Sequence, residues 1–227
     1  MDFKEGKILY FDKPLGLTSF QVVGKVRWML CRKLGVKKLK VGHAGTLDPL
    51  ATGVLIVCTG KATKQVESLQ AGVKEYVATL RLGATTPSYD LEKPIDAEYP
   101  TGHITEELVR STLTRFQGEI MQIPPVFSAV KVDGRRAYSY ARNGEEVEIQ
   151  PKKLVIDEIE LLQCQLPDIT IRVVCSKGTY IRALARDIGH ALESGAHLTA
   201  LRRTRVGDVR VEDCTTIEAF ENYLNTI

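Results

Sequence analysis

Apolar residues recur along this chain in two rhythms, and the change from one to the other marks its elements. After Thr18 and Ser19, the residues Val22, Val23, Val26, Leu30 and Leu34 return at helical spacing, which predicts one amphipathic helix. Thr18 or Ser19 stands where a side-chain cap belongs, and Gly35 where the helix closes. Over residues 74–82 the period falls to two, so Tyr76, Ala78, Leu80 and Leu82 share one face of a half-buried strand and Tyr76 points inward. A second helical stripe runs through Ile181, Leu184, Ala185, Ile188, Ala191 and Leu192, with Thr179 as its expected cap and Gly195 beyond its end.

Shorter runs fill the intervals. Strands are expected over residues 7–11, over the fully apolar residues 54–58, over 155–162, over 169–175, around Val147 and within 198–211. Short helices are expected over 62–69 and 216–224, and a further one from a Thr105 cap to Phe116, stopped by Gly118. Asp133-Gly134 reads as a hairpin turn. Residues 42–53 hold three glycines and Pro49 and read as one long shaped loop, as does the stretch 83–102. Strands and helices mix without a regular βαβ period, which predicts an α+β fold with a mixed, largely antiparallel sheet flanked by helices in one domain, residues 1–227.

Composition removes several classes. No stretch approaches the ~20 apolar residues of a membrane span, and the apolar residues Ile8 to Phe11 have charged flanks with no cleavage site after them. A cytoplasmic protein is expected. Five scattered cysteines, Cys31, Cys58, Cys164, Cys175 and Cys214, never form a C-x-x-C pair, so they read as reduced, without a disulfide framework or a zinc site. The net charge of +3 is too small to announce nucleic acid by itself. Its distribution is uneven, with basic residues gathered at Arg32, Lys33, Lys37, Lys38 and Lys40 and again at Arg202, Arg203 and Arg205.

The stretch Gly42-His43-Ala44-Gly45-Thr46-Leu47-Asp48-Pro49-Leu50-Ala51-Thr52-Gly53 carries the strongest chemical signal. Pro49 biases Asp48 towards an extended backbone, so a carboxylate is presented from a stiff loop; the plainer reading is an Asp that shapes a turn and a surface histidine. A phosphate loop fails on spacing, because six residues separate Gly53 from Gly60 and Ala62 stands where Ser or Thr is needed after Lys61. His43, His103, His190 and His197 show no metal-ligand spacing. No G-x-S-x-G elbow is present. Read singly, Tyr76 is a core aromatic and Arg182 and Arg186 a solvated helical face.

Taken in order, these segments resemble the bacterial tRNA pseudouridine synthases that act in the T arm, the TruB family. The resemblance rests on Lys13-Pro14 with Gly16, Thr18 and Ser19, on the whole 42–53 stretch, on Glu75-Tyr76 and Arg81-Leu82-Gly83, on Pro124-Pro125 with Ser128-Ala129, on residues 177–182, and on Leu201-Arg202-Arg203-Thr204. It implies the pseudouridine synthase fold and conversion of uridine to pseudouridine at position 55 of the TΨC loop of tRNA, without cofactor or metal. It implies Asp48 as catalytic carboxylate, Arg182 as its ion-pair partner and Tyr76 stacked on the flipped base. His43 would help hold the extruded nucleotide, Tyr180 and Leu201 would line the uracil pocket, Lys13 and Pro14 would support that pocket, and Arg202 would contact substrate. Residues 122–150 would be a mobile insertion gripping RNA through Arg135, Arg136 and Arg142. Only about twenty residues follow Gly207, so the PUA-type module that many members carry is expected to be absent. The expected partner is tRNA, met by a monomer with no obligatory protein partner. Pro87-Ser88-Tyr89-Asp90 departs from the family pattern and receives no role. An RNA chaperone without catalysis, or a synthase of another RNA, are the rival readings.

Overall fold

The computed structural model describes residues 3–128 and 130–226. Strand β1, Ile8–Lys13, leads to Thr18, whose side chain accepts from the Gln21 N–H while the Gln21 side chain accepts from the Thr18 N–H. This reciprocal box starts α1, Ser19–Lys33, whose Val22, Val23, Val26, Met29 and Leu30 are buried. Next come β2, Val41–Ala44, and β3, Ala51–Thr59. The expected long loop is therefore a turn of residues 45–50 between two paired strands, with Val41 opposite Thr59 and Ala44 opposite Ile56. Local glycine content favoured a loop; ladder bonds to a largely buried β3 override it.

A 3₁₀ turn, Gly60–Gln65, runs into α2, Val66–Ala71. Strand β4, Lys74–Leu82, alternates as expected, with Tyr76, Ala78, Leu80 and Leu82 buried. The stretch that follows is loop except for the pair β5, Ala84–Thr85, and β6, Ala97–Glu98. Thr105 caps α3, Glu106–Thr114, and β7 is Gly118–Gln122. The hairpin β8, Lys131–Val132, and β9, Arg135–Arg136, turns at Asp133 and Gly134, whose φ angles of 49° and 79° are the pair a tight hairpin turn needs. It is followed by α4, Ala137–Asn143. That short helix was not expected, and no strand forms around Val147. Ala129 and the side chain of Arg142 lie outside the described residues.

Strands β10, Lys152–Gln165, and β11, Asp168–Cys175, form an antiparallel hairpin. Helix α5, Ile181–Ala191, starts after Tyr180 and not after Thr179, whose hydroxyl donates back to the Ser176 carbonyl. Strand β12, Ala196–Val206, then β13, Val209–Arg210, and α6, Ile217–Thr226, complete the chain.

The chain divides into two compact units, Met1–Tyr76 with Leu201–Ile227, and Val77–Ala200. In the first, β3 pairs antiparallel with β1 and β2 and parallel with β12. Its faces are buried on both sides: Leu55 and Val57 join Phe11, α1 and α6, while Val54, Ile56 and Cys58 join Ala44 and Val206. In the second, β4, β11, β10 and β7 are neighbours in that order, with antiparallel pairing of β10 to β11 and to β7. The architecture is α+β with a mixed, largely antiparallel sheet.

Candidate active site

Asp48 sits in the 45–50 turn, and the surrounding bonds explain why so short a segment holds its shape. The Ala51 N–H donates to the Asp48 carbonyl at 3.1 Å, and the Gly16 N–H to the Pro49 carbonyl at 2.8 Å. The buried Ser19 hydroxyl both donates to the Leu47 carbonyl and accepts from the Leu47 N–H, at 3.0 and 2.8 Å. Lys13, fully buried, donates from Nζ to the carbonyls of Leu17, Pro14 and, at 3.4 Å, Pro49. The turn is thus tied to the Pro14–Ser19 segment on one side.

On the other side it is tied to Arg203, only 2% exposed. Its Nε donates to the Val54 carbonyl at 2.8 Å, Nη2 to Gly45 at 3.1 Å and Nη1 to Thr46 at 3.3 Å. The rigid guanidinium fork joins the start of the turn to β3 beyond it, which a single ammonium does not. Gly53, at φ 103°, lies opposite Arg203, and a Cβ there would stand 2.1 Å from the Arg203 carbonyl oxygen. Glycine is required where two backbones approach so closely. Sequence reading placed the substrate contact at Arg202 and gave Arg203 no separate role. The alternation of β12 gave no such signal, since Arg203 shares its face with the half-buried Leu201 and Arg205. Arg202 in fact pairs with Asp12 at 2.7 Å and donates to the Thr52 hydroxyl at 3.2 Å, partly exposed.

Electrostatics follow from this burial. Desolvation lowers the Lys13 pKa to about 8, with the Asp48 carboxylate opposing and the Arg203 charge reinforcing the shift. His43, on β2, is likewise pushed down by burial and then by Arg203, opposed by the main chain of Gly45. It is therefore neutral at pH 7, and its Nδ1 is buried without a hydrogen-bond partner among the described residues. Tyr76 is buried near the start of β4, and Leu201 lies opposite Ala51, at the point where the turn re-enters β3. Lys13, His43, Asp48, Tyr76, Leu201 and Arg202 all belong to the first unit.

Tyr180 and Arg182 belong to the second. The buried Gln122 side chain accepts from the Tyr180 N–H at 2.9 Å and donates to the Tyr180 carbonyl at 3.2 Å, fixing the residue that opens α5. Arg182 is 5% exposed, so the plain reading of a solvated helical face does not hold. Its guanidinium donates to the carbonyls of Ser88 at 3.2 Å and Phe127 at 2.8 Å and lies 3.7 Å from the buried Asp90 carboxylate. The 87–90 stretch, given no role from sequence, is part of what holds this arginine; Gln122 and Asp90 were both missed because neither has a local pattern. Arg186 stacks over the Tyr89 ring at 5.2 Å and pairs with Asp187. In the 122–150 stretch, Arg135 pairs with Glu145 at 3.1 Å and lies over Tyr140. Lys61 is an exposed ion-pair partner of Glu5, as the failed phosphate-loop spacing implies.

The five cysteines are free thiols, and no helix among the described residues is long and apolar enough to cross a membrane.

Residues 32–181 match the TruB family pseudouridylate synthase N-terminal domain, and residues 182–226 the tRNA pseudouridylate synthase B C-terminal domain. The chain is 72% identical over 225 residues to tRNA pseudouridine synthase B of Phocaeicola vulgatus, covering 99% of this chain and 96% of that protein. It is 54% identical over 224 residues to the protein of the same name from Flavobacterium johnsoniae, with 98% of each covered. Among solved structures it resembles a chain of a Cbf5-Nop10-Gar1 complex with a TM-score of 0.72 at 33% identity, spanning 97% of this chain and 55% of that one. These matches cover both units, and they accompany a turn that carries Asp48 and is held through its main chain by Ser19, Lys13 and Arg203: the chain belongs to the TruB family of pseudouridylate synthases.

Proposed function

We infer that this protein converts uridine to pseudouridine in tRNA, at the T-arm uridine of position 55, acting as a cytoplasmic monomer with Asp48 as catalytic carboxylate. The observation that carries the reading is the fixed 45–50 turn: Arg203, Lys13 and Ser19 spend their hydrogen bonds on its main chain. The reaction breaks the N1–C1′ bond, rotates the uracil and joins C5 to C1′, with a proton lost from C5 and one gained at N1, so atoms balance without hydrolysis or redox change. A carboxylate serves by adding to the reacting nucleoside or by assisting glycosidic cleavage, and either route needs the anion. Arg182 is assigned as the cation that favours that anion.

The target base must leave its stack at a cost of a few kcal/mol. Tyr76 offsets this by stacking, worth about 1–3 kcal/mol. His43, half-buried and held below its ordinary pKa, supports the extruded nucleotide without adding charge beside the carboxylate; Tyr180 and Leu201 line the uracil pocket, and Lys13 braces it. Arg202, Arg135 and Arg136 contact the RNA backbone, where neutralised phosphates make affinity fall with salt.

The test is pseudouridine yield on an unmodified tRNA transcript. Asp48→Asn is expected to lose at least ~10³-fold in turnover, with pseudouridine from wild type confined to the T arm. Equal yields from the two proteins would defeat the assignment, and loss of pseudouridine elsewhere in total RNA after gene deletion would favour a synthase of another RNA.

A further inference from the structure

Helix α1 carries two faces of opposite character. One is buried through Val22, Val23, Val26, Met29 and Leu30; the other presents Phe20, Gly24, Trp28 and Arg32 at successive four-residue steps. Phe20 is 72% exposed and Trp28 57% exposed. A side-chain carbon placed on Gly24 would meet nothing within 4 Å, so the helix surface between the two aromatics is open. The Arg32 guanidinium lies over the Trp28 ring at 5.4 Å. Exposed apolar side chains gathered on one face and rimmed by charge mark interaction surfaces.

The charge around them states what kind. From Lys13 to Leu47 the chain holds eight lysines and arginines and no aspartate or glutamate, although the whole chain is only +3. Lys25, Arg32, Lys33, Lys37, Lys38 and Lys40 are exposed. A protein partner with an ordinary mixed surface is not matched by such a segment; a polyanion with stackable bases is. The face is also continuous with the site. It begins at Ser19, bonded to Leu47 beside Asp48, and from Phe20 to Arg32 it runs for ~18 Å at the rise of an α-helix.

We propose that the Phe20–Gly24–Trp28–Arg32 face of α1, with the lysines that follow it, is a second RNA-contact surface that stacks on unpaired or end bases of the substrate RNA and neutralises its phosphates. This rests on the reading that the substrate is RNA. It adds a grip that acts on binding and leaves the chemistry to the 45–50 turn.

Trp28 is the only tryptophan, so its emission reports this face alone. Wild-type protein is titrated with unmodified tRNA transcript while pseudouridine is assayed in the same samples. Saturable quenching of Trp28, reversed by salt, is expected. Replacing Arg32, Lys37 and Lys38 together by Gln is expected to raise KM for tRNA at least tenfold, with kcat reduced less than threefold. The slope of log affinity against log salt should fall by about 2, at ~0.7–0.9 per lost phosphate contact. Trp28→Ala should weaken binding by about tenfold. If the transcript is converted while Trp28 emission stays unchanged at saturating RNA and the triple variant keeps the wild-type salt slope, this surface is refuted and the enzymatic reading stands. If Trp28 is quenched but no pseudouridine forms, the RNA surface stands and the enzymatic reading falls.

Discussion

Among the described residues each unit buries one arginine, and the two are used differently. Arg203 directs its three bonds to the main-chain carbonyls of Val54, Gly45 and Thr46, and its charge reaches His43 and Lys13, lowering both pKa values. Arg182 bonds the carbonyls of Ser88 and Phe127 but also faces the carboxylate of Asp90. The first is a frame whose positive field stays in its surroundings; the second is a frame partly balanced by an anion of its own. Burying a cation is costly unless its donors are satisfied, and here carbonyl dipoles meet that demand in one unit and dipoles plus a carboxylate in the other. A residue that fixes a turn through its carbonyls governs geometry, so its loss is felt first in stability and then in rate.

The sharpest way to break this contrast is at the close approach itself. Gly53→Ala combines a backbone at φ 103° with a carbon 2.1 Å from the Arg203 carbonyl oxygen; a loss of about 5 kcal/mol is expected, enough to unfold a marginal domain. Urea denaturation checks it, and a midpoint near wild type would show that β3 and β12 yield more readily than their register implies. Next in size, Arg203→Met strands three carbonyls and should cost about 3–4 kcal/mol. Arg203→Lys should recover part of that stability but little turnover, because one ammonium does not span Gly45 and Val54 together. For Arg182→Lys, charge is kept and the fork is lost; about 10²-fold in kcat is expected, and a shift confined to KM would remove it from the reacting centre.

Lys13 separates rate from stability by pH. Its folded pKa is about 8 against the ordinary 10.5, so between those values the unfolded chain binds the extra proton. Its contribution to stability therefore rises with pH across that window. Turnover should do the reverse, because the neutral amine donates fewer protons than the three carbonyls of Pro14, Leu17 and Pro49 accept. A fall in kcat through pH ~8 is expected, and Lys13→Arg should lack it. The smallest effect is reserved for the exposed Arg81–Asp168 pair at 2.8 Å. Asp168→Asn should change stability by less than about 1 kcal/mol and leave kcat untouched, which marks the scale of an ion pair that water already screens.

Helix α1 and strand β4 were legible from sequence because their periods of 3.6 and 2 are properties of local geometry. The Thr105 cap and the Asp133-Gly134 turn were legible for the same reason. Residues 42–53 were not. Their glycines read as loop, yet β2 and most of that glycine-rich end of β3 are ladder, since a buried neighbouring strand supplies the bonds. Helix α4 carries no apolar stripe, so no period announced it. Thr179 is a good cap by type, but its hydroxyl is taken by Ser176.

Sequence alone determined which residues could do chemistry, because residue type and local spacing fix an Asp before a Pro, an inward Tyr76 and a helix led by residues 177–182. Tertiary structure alone decided which groups hold them. Arg203 rather than Arg202 clamps the turn, Asp90 sits by Arg182, and Gln122 holds Tyr180, because each of these contacts joins residues 50 or more positions apart. No local pattern encodes such a meeting; it is set by the sheet that brings the strands together.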